Sequence, residues 1–144
     1  MRVAPPETRV TRSAAPLALA LASAAGAVAL ASIASFAAAV PPAPPGFQLG
    51  GDAERGRAVY ARSCVLCHGK LGDGKGTIHG EGAPATDFTD GERMAKRSDW
   101  EVYVAIRDGG AALGLSPRMI AWGKVLTDQQ VRDAAAYVRT FARK

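Results

Sequence analysis

Cysteine is nearly absent from this chain: 144 residues carry two, Cys64 and Cys67, so no second pair exists to complete a closed zinc set. Histidine is as scarce, with His68 and His79 only. No run of five or six like charges occurs, which excludes a basic or acidic tail. Net charge is +5, from 18 basic and 13 acidic residues. Arg2, Arg9, Arg12 and Glu7 lie in the first 39 residues, which leaves the rest at 15 against 12, or +3. That is too mild to argue for nucleic acid. No segment reads as a strand, no internal repeat is visible, and no catalytic acid–base pair stands out.

What is there divides into three parts. Residues 1–39 read as a secretory signal: three arginines, then the uncharged stretch Ala14–Val40, with Ala37-Ala38-Ala39 as the cleavage site. That stretch spans 27 residues. About 20 apolar residues cross a bilayer, so an uncleaved anchor is the alternative. Its alanines, serines, Gly26 and Pro16 make it weakly hydrophobic, which favours cleavage near Ala39. Either way the domain is delivered outside the cytoplasm, to the periplasm, and it meets the membrane only if the leader is retained. Residues 40–51, "VPPAPPGFQLGG", read as a Pro/Gly linker. The domain is then 52–144, a size that buries a modest core and commonly needs a staple.

Helix signals dominate the domain. Asp52 caps a helix through "AERGRAVYARSC", with Ala53, Gly56 and Tyr60 on one face. Asp90 starts a short helix through Met94. Ser98 with Glu101, and Thr127 with Gln130, are capping boxes for two more. Gly109 stops the first of these. The last carries the stripe Val131, Ala134, Ala135, Val138, Phe141 and Ala142, and Arg139 near its end suits the helix dipole. Two long loops are expected, Gly69–Asp90 and Gly109–Trp122. A long loop in a small domain is usually functional. "GDGKG", Gly72 to Gly76, is similar to a phosphate loop but lacks the preceding strand and the Gly-Lys-Ser/Thr ending.

Both cysteines and His68 sit in "SCVLCHGK". Three chemistries compete for them. A thioredoxin-like redox pair or disulfide needs a βαβ setting, and none is visible. A zinc site wants four ligands, and only Cys64, Cys67, His68 and His79 are candidates. Covalent haem attachment needs what is present: two thiols for two vinyl groups, and a histidine next in line to bind iron. An apolar ring bonded to the chain would also supply the staple and explain the loops. The second iron ligand would be Met119, in the loop "LGLSPRMIAWG", with Met94 and His79 as alternatives.

"CVLCHG", "SDWEVYVAIRDGG", "SPRMIAWGKVLTD" and "AAAYVRTF" together resemble the small single-haem class I cytochromes c of bacteria, over about Asp52 to Ala142. The resemblance implies an all-α domain wrapped around one covalent haem c, with first and last helices crossing. Gly56, Tyr60 and Tyr137 match the family's crossing positions as packing residues. Ala134 stands where a larger apolar residue is common. The family's axial histidine usually bonds a proline carbonyl, which assigns that role to Pro84. Proline commonly follows the axial methionine, and Ile120 stands there instead. Arg118 and Trp122 are candidates for the haem propionates, with simple packing as the other reading of Trp122. The resemblance further implies an electron carrier rather than an enzyme. Its donor would be a quinol-oxidising complex or a dehydrogenase, and its acceptor a terminal oxidase. A five-coordinate haem with peroxidase-like or gas-binding chemistry, and a fixed subunit of a dehydrogenase complex, are the rival functions.

Overall fold

Four side-chain caps start the principal helices. A computed structural model describes residues 40–78 and 84–142. Asp52 accepts from the Arg55 amide and opens α1, Ala53–Ser63. After the single turn α2, Val65–His68, Asp90 opens α3, Gly91–Ala95. Ser98 opens α4, Asp99–Asp108, and Thr127 opens α5, Asp128–Phe141. Both capping boxes form as the spacing predicts. The turn α2 and a 3₁₀ turn over Gly110–Leu113 lie in stretches expected as loop or helix end. No strand occurs among the described residues, so the fold is a small all-α domain. Among those residues no helix is long and apolar enough to cross a membrane. The expected signal or anchor, 1–39, lies outside them.

The crossing of α1 and α5 makes the core. Val131, Ala134, Ala135, Val138 and Phe141 of α5 are buried, as their spacing predicts, against Val59 and Tyr60 of α1. The helices touch at Gly56, where an added Cβ would run into the carbonyl of Asp133. Tyr60 packs on Tyr137 and Phe141, with ring centroids 5.3 and 5.2 Å apart. Beside the crossing lies a carboxylate that the sequence does not single out. Asp133 is 3% exposed. It accepts from the Asp52 amide at 2.7 Å, from Arg55 at 2.8 and 3.0 Å, and from Gln129 at 2.8 Å. Burial pushes its pKa up, but these donors outweigh burial and hold it below its ordinary value. Asp133→Asn is therefore expected to cost about 1–3 kcal/mol near neutral pH. A depressed carboxyl stabilises above its ordinary value of 3.8 and loses that contribution as pH falls through the lower folded value. The gap between parent and variant, measured by denaturant unfolding at about pH 7 and about pH 3, should narrow in acid. A constant gap would contradict this role.

Residues 40–51 are not a free linker. They belong to the same compact unit as the helices and form a strap across α4 and α5. The Trp100 indole donates to the Pro41 carbonyl at 2.6 Å. Phe47 meets Trp100 edge-on at 4.8 Å. Arg132 donates to the carbonyls of Gln48 and Leu49 at 2.9 and 3.0 Å and lies over the Phe47 ring. The prolines stiffen the segment, while Phe47 and Leu49 give it apolar surface to bury. Helix α4 thus has two working faces. Trp100 and Tyr103 meet the strap, while Val102, Ala105 and Ile106 face a cavity on the other side.

Arg139 ties the remaining pieces together. It donates to the carbonyls of Met94 and Arg97 at 2.8 and 2.5 Å and to Asp99 at 2.8 Å. A cation thereby caps the carbonyl end of α3 and fixes the start of α4 to α5.

Candidate functional site

The cysteines and histidine occupy the turn that continues α1. Cys64 ends α1, its amide bonded to the Tyr60 carbonyl at 2.9 Å. The His68 amide bonds to the Cys64 carbonyl at 3.0 Å. One helical turn therefore sets the three side chains relative to one another. Tyr60, expected as packing alone, also donates its hydroxyl to the Gly69 carbonyl at 2.7 Å. That bond pins the residue after His68 back onto α1. The glycine-rich stretch folds over the turn, with the amides of Gly74, Gly76 and Ile78 bonded to the carbonyls of His68, Cys67 and Leu66.

Neither cysteine is in a disulfide; Cys64 is buried and Cys67 exposed. Burial, then the neighbouring Cys67, pushes the Cys64 thiol up to about 12. Redox-active Cys-Xaa-Xaa-Cys pairs need the opposite, a depressed thiol. Among the described residues no group of three or more His, Cys, Asp and Glu side chains gathers to hold a metal ion. His79 lies outside those residues.

His68 is 8% exposed. Burial lowers its pKa, and a bond to a backbone carbonyl partly opposes that. Nδ1 lies 3.2 Å from the carbonyl oxygen of Thr86. A carbonyl only accepts, so Nδ1 carries the proton and Nε2 keeps its lone pair for a metal. This corrects the assignment of Pro84. Pro84 lies exposed, two residues upstream, and it is the carbonyl of Thr86 that reaches the ring. The imidazole also stacks on Phe88, centroids 4.4 Å apart and planes 19° apart. Neither Thr86 nor Phe88 stood out in the sequence. The usable signal was a lone aromatic in a glycine-rich loop.

A cavity of about 470 Å³ opens beside His68. Cys67, His68 and Phe88 line it from the attachment side. Val102, Ala105 and Ile106 of α4 and Val138 of α5 supply apolar surface. Met119 lines it from the loop after the 3₁₀ turn, and the buried Met94 lines it from α3. Pro84 and Arg118 also border it. Trp122 does not; it packs half-buried against the core, with its amide on the Ile106 carbonyl at 3.0 Å. The methionine loop is braced by Gly110, whose amide donates to the Met119 carbonyl at 2.8 Å. The Gly110 carbonyl accepts from the Leu115 amide at 2.9 Å. A second hollow, about 590 Å³, lies between the strap, the α3–α4 turn and α5 and contains neither cysteine nor histidine.

The cavity fits a flat apolar macrocycle: an imidazole with a free lone pair on one wall, a thioether from another, and the Cys67 thiol at the edge. Comparisons agree. The family model described as cytochrome c oxidase, cbb3-type, subunit III matches residues 51–138. The solved structure of the c-type cytochrome KustC0563 is similar, at 34% identity, covering 60% of this chain and 95% of that one, with a TM-score of 0.48. No curated protein matches. The chain belongs to the family that this model describes and is a c-type cytochrome, a small helical protein with covalently bound haem c that serves haem-based electron transfer.

Proposed function

We propose that the chain holds one haem c, bonded through Cys64 and Cys67, with the iron between His68 and Met119. The observation that supports this most is the shared cavity, which has Cys67 and His68 on one side and Met119 on another. Each thiol adds its sulfur and its hydrogen across one vinyl double bond, so nothing leaves and the cofactor cannot dissociate. His68 is oriented by Thr86 and Phe88. Met119 supplies a soft ligand, which favours Fe(II) and raises the potential relative to a second imidazole. Haem c contributes a one-electron couple between Fe(III) and Fe(II). The apolar walls would shield the bound ring from water.

Such a site suits an electron carrier. The domain is proposed as residues 52–144 with the strap docked on it, exported to the periplasm behind a leader at 1–39. Its proposed donors are a quinol-oxidising complex or a dehydrogenase, and its proposed acceptor is a terminal oxidase. The test is a visible spectrum of protein matured with haem, reduced and oxidised, for the parent, Met119→Ala and Met94→Leu. Met119→Ala is expected to lose the sulfur–iron charge-transfer band of the oxidised protein, bind carbon monoxide when reduced and show a lower potential. Met94→Leu is expected to keep the band. The reverse pattern would move the ligand to α3. Carbon monoxide binding by the reduced parent would instead support the five-coordinate alternative.

A further inference from the structure

Helix α4 carries the strap on one face and the methionine segment at its end. Three backbone bonds lash residues 119–123 to that end. The Gly110 amide donates to the Met119 carbonyl at 2.8 Å, the Trp122 amide to the Ile106 carbonyl at 3.0 Å, and the Gly123 amide to the Arg107 carbonyl at 2.8 Å. A shift of the end of α4 therefore carries Met119 with it.

Arg107 is where the strap side meets that segment. Its aliphatic stem lies on Gly123, where an added Cβ would come 2.7 Å from Arg107 Cγ. Its guanidinium lies over the rings of Trp100 and Tyr103, 5.5 and 5.0 Å from their centroids. Two bonds to Asp108, at 2.8 and 2.6 Å, hold it there. Trp100 and Tyr103 stack on each other with centroids 5.4 Å apart. Phe47 of the strap packs on both, at 4.8 and 5.6 Å. A packed line of side chains thus runs from the strap to Gly123, and a backbone ladder runs from there to Met119. Phe47, Trp100, Tyr103 and Arg107 do not line the haem cavity themselves.

We propose that Phe47 and Arg107 are positioning residues for Met119: the docked strap steadies the end of α4 and so holds the thioether on the iron. The inference rests on the His68 and Met119 ligation proposed above. With the strap undocked, Trp100 and Tyr103 lose the ring that covers them, and the guanidinium of Arg107 loses its firm platform. The methionine segment is held mainly by backbone bonds, so a small loss at α4 raises the fraction of time it spends open. The coupling runs both ways, and a strap that is docked and a methionine that is bound favour each other.

The experiment titrates oxidised holoprotein with free imidazole, which takes the iron position only when Met119 lets go. Its apparent affinity is the intrinsic one scaled by the open fraction. The proteins are the parent, Phe47→Ala, Trp100→Phe, Arg107→Met, the double variant Phe47→Ala/Arg107→Met, and Asp133→Asn as a control. Phe47→Ala should bind imidazole roughly five- to tenfold more tightly, the lower range of coupling between distant sites. Its sulfur–iron band should bleach at a lower temperature, with covalent haem retained. Trp100→Phe keeps a ring and loses only the bond to Pro41, so it should show a smaller change of the same sign, and it serves if Phe47→Ala does not fold. The effects of Phe47→Ala and Arg107→Met should not add in the double variant. Asp133→Asn weakens the α1–α5 crossing and should bind imidazole as the parent does. Unchanged affinity in Phe47→Ala would overturn the proposal, as would equal tightening in Asp133→Asn, which would show that only global stability is being read. Additive effects in the double variant would overturn the role of Arg107. A band that survives Met119→Ala would instead overturn the ligand reading beneath the proposal.

Discussion

Gly56→Ala is expected to destabilise the protein by roughly 3 kcal/mol or more, the upper end of the cost of overpacking a core. The sign carries the information. In a helix interior alanine is normally the better residue by about 1 kcal/mol. At Gly56 the new methyl would run into the Asp133 carbonyl and lie 2.9 Å from the Tyr137 Cβ, so α1 and α5 must part. Parting them also loosens the bonds from Asp52 and Arg55 to Asp133. For a domain near 100 residues, 1 kcal/mol is about 4–8 °C in Tm, so a fall of at least about 12 °C is expected in thermal unfolding of the holoprotein. A neutral or stabilised variant would show that the two backbones do not touch there.

Gly110→Ala should strike the methionine side of the site and spare the attachment side. An added Cβ would run into the Ser116 carbonyl and come within 3.0 Å of the Met119 Cβ. The neighbouring Gly109 has φ +86 with the Met119 carbonyl against it, so the chain cannot yield in that direction. The loop must move away from the cavity. The expected result is a weakened or lost sulfur–iron band, new carbon monoxide binding in the reduced protein and a lower potential, with covalent haem retained. The stability loss should be smaller than for Gly56→Ala, because Leu115, Ser116 and Arg118 of the loop are exposed. An intact band in this variant would mean that the loop is not held by Gly110.

The parts legible in the sequence are those whose cause is local. Ser98 with Glu101 and Thr127 with Gln130 act within one helical turn, and both helices begin where that pattern puts them. The apolar stripe of α5 is a matter of period and is buried as expected. Cys64, Cys67 and His68 share one helical turn, as their spacing within five residues implies. What was not legible depends on distant pairs. The strap is held by Trp100 on Pro41, 59 residues apart, and by Arg132 on Gln48, 84 apart. Proline and glycine content alone reads as a linker. Asp133 looks like one more polar residue on an amphipathic helix until Asp52 and Arg55 arrive from 81 and 78 residues away. Thr86 replaces Pro84 because the contact to His68 uses a backbone carbonyl, which any residue supplies, so side-chain identity leaves no mark.

The two walls of the cavity are built from unequal materials. His68 continues the helix that crosses α5, with Tyr60, Phe88 and Thr86 bracing it. Met119 hangs from a loop whose ties are backbone bonds to Gly110 and Ser116. Local opening free energies rise with buried contact, from near zero in loose loops to the global value in the core. One side of the site therefore shares the lifetime of the whole fold, and the other has a lifetime of its own. On warming or in denaturant, the proposed bond from Met119 is the one expected to break first. The protein would then pass through a state that is still folded and still covalently loaded, but no longer tuned as an electron carrier.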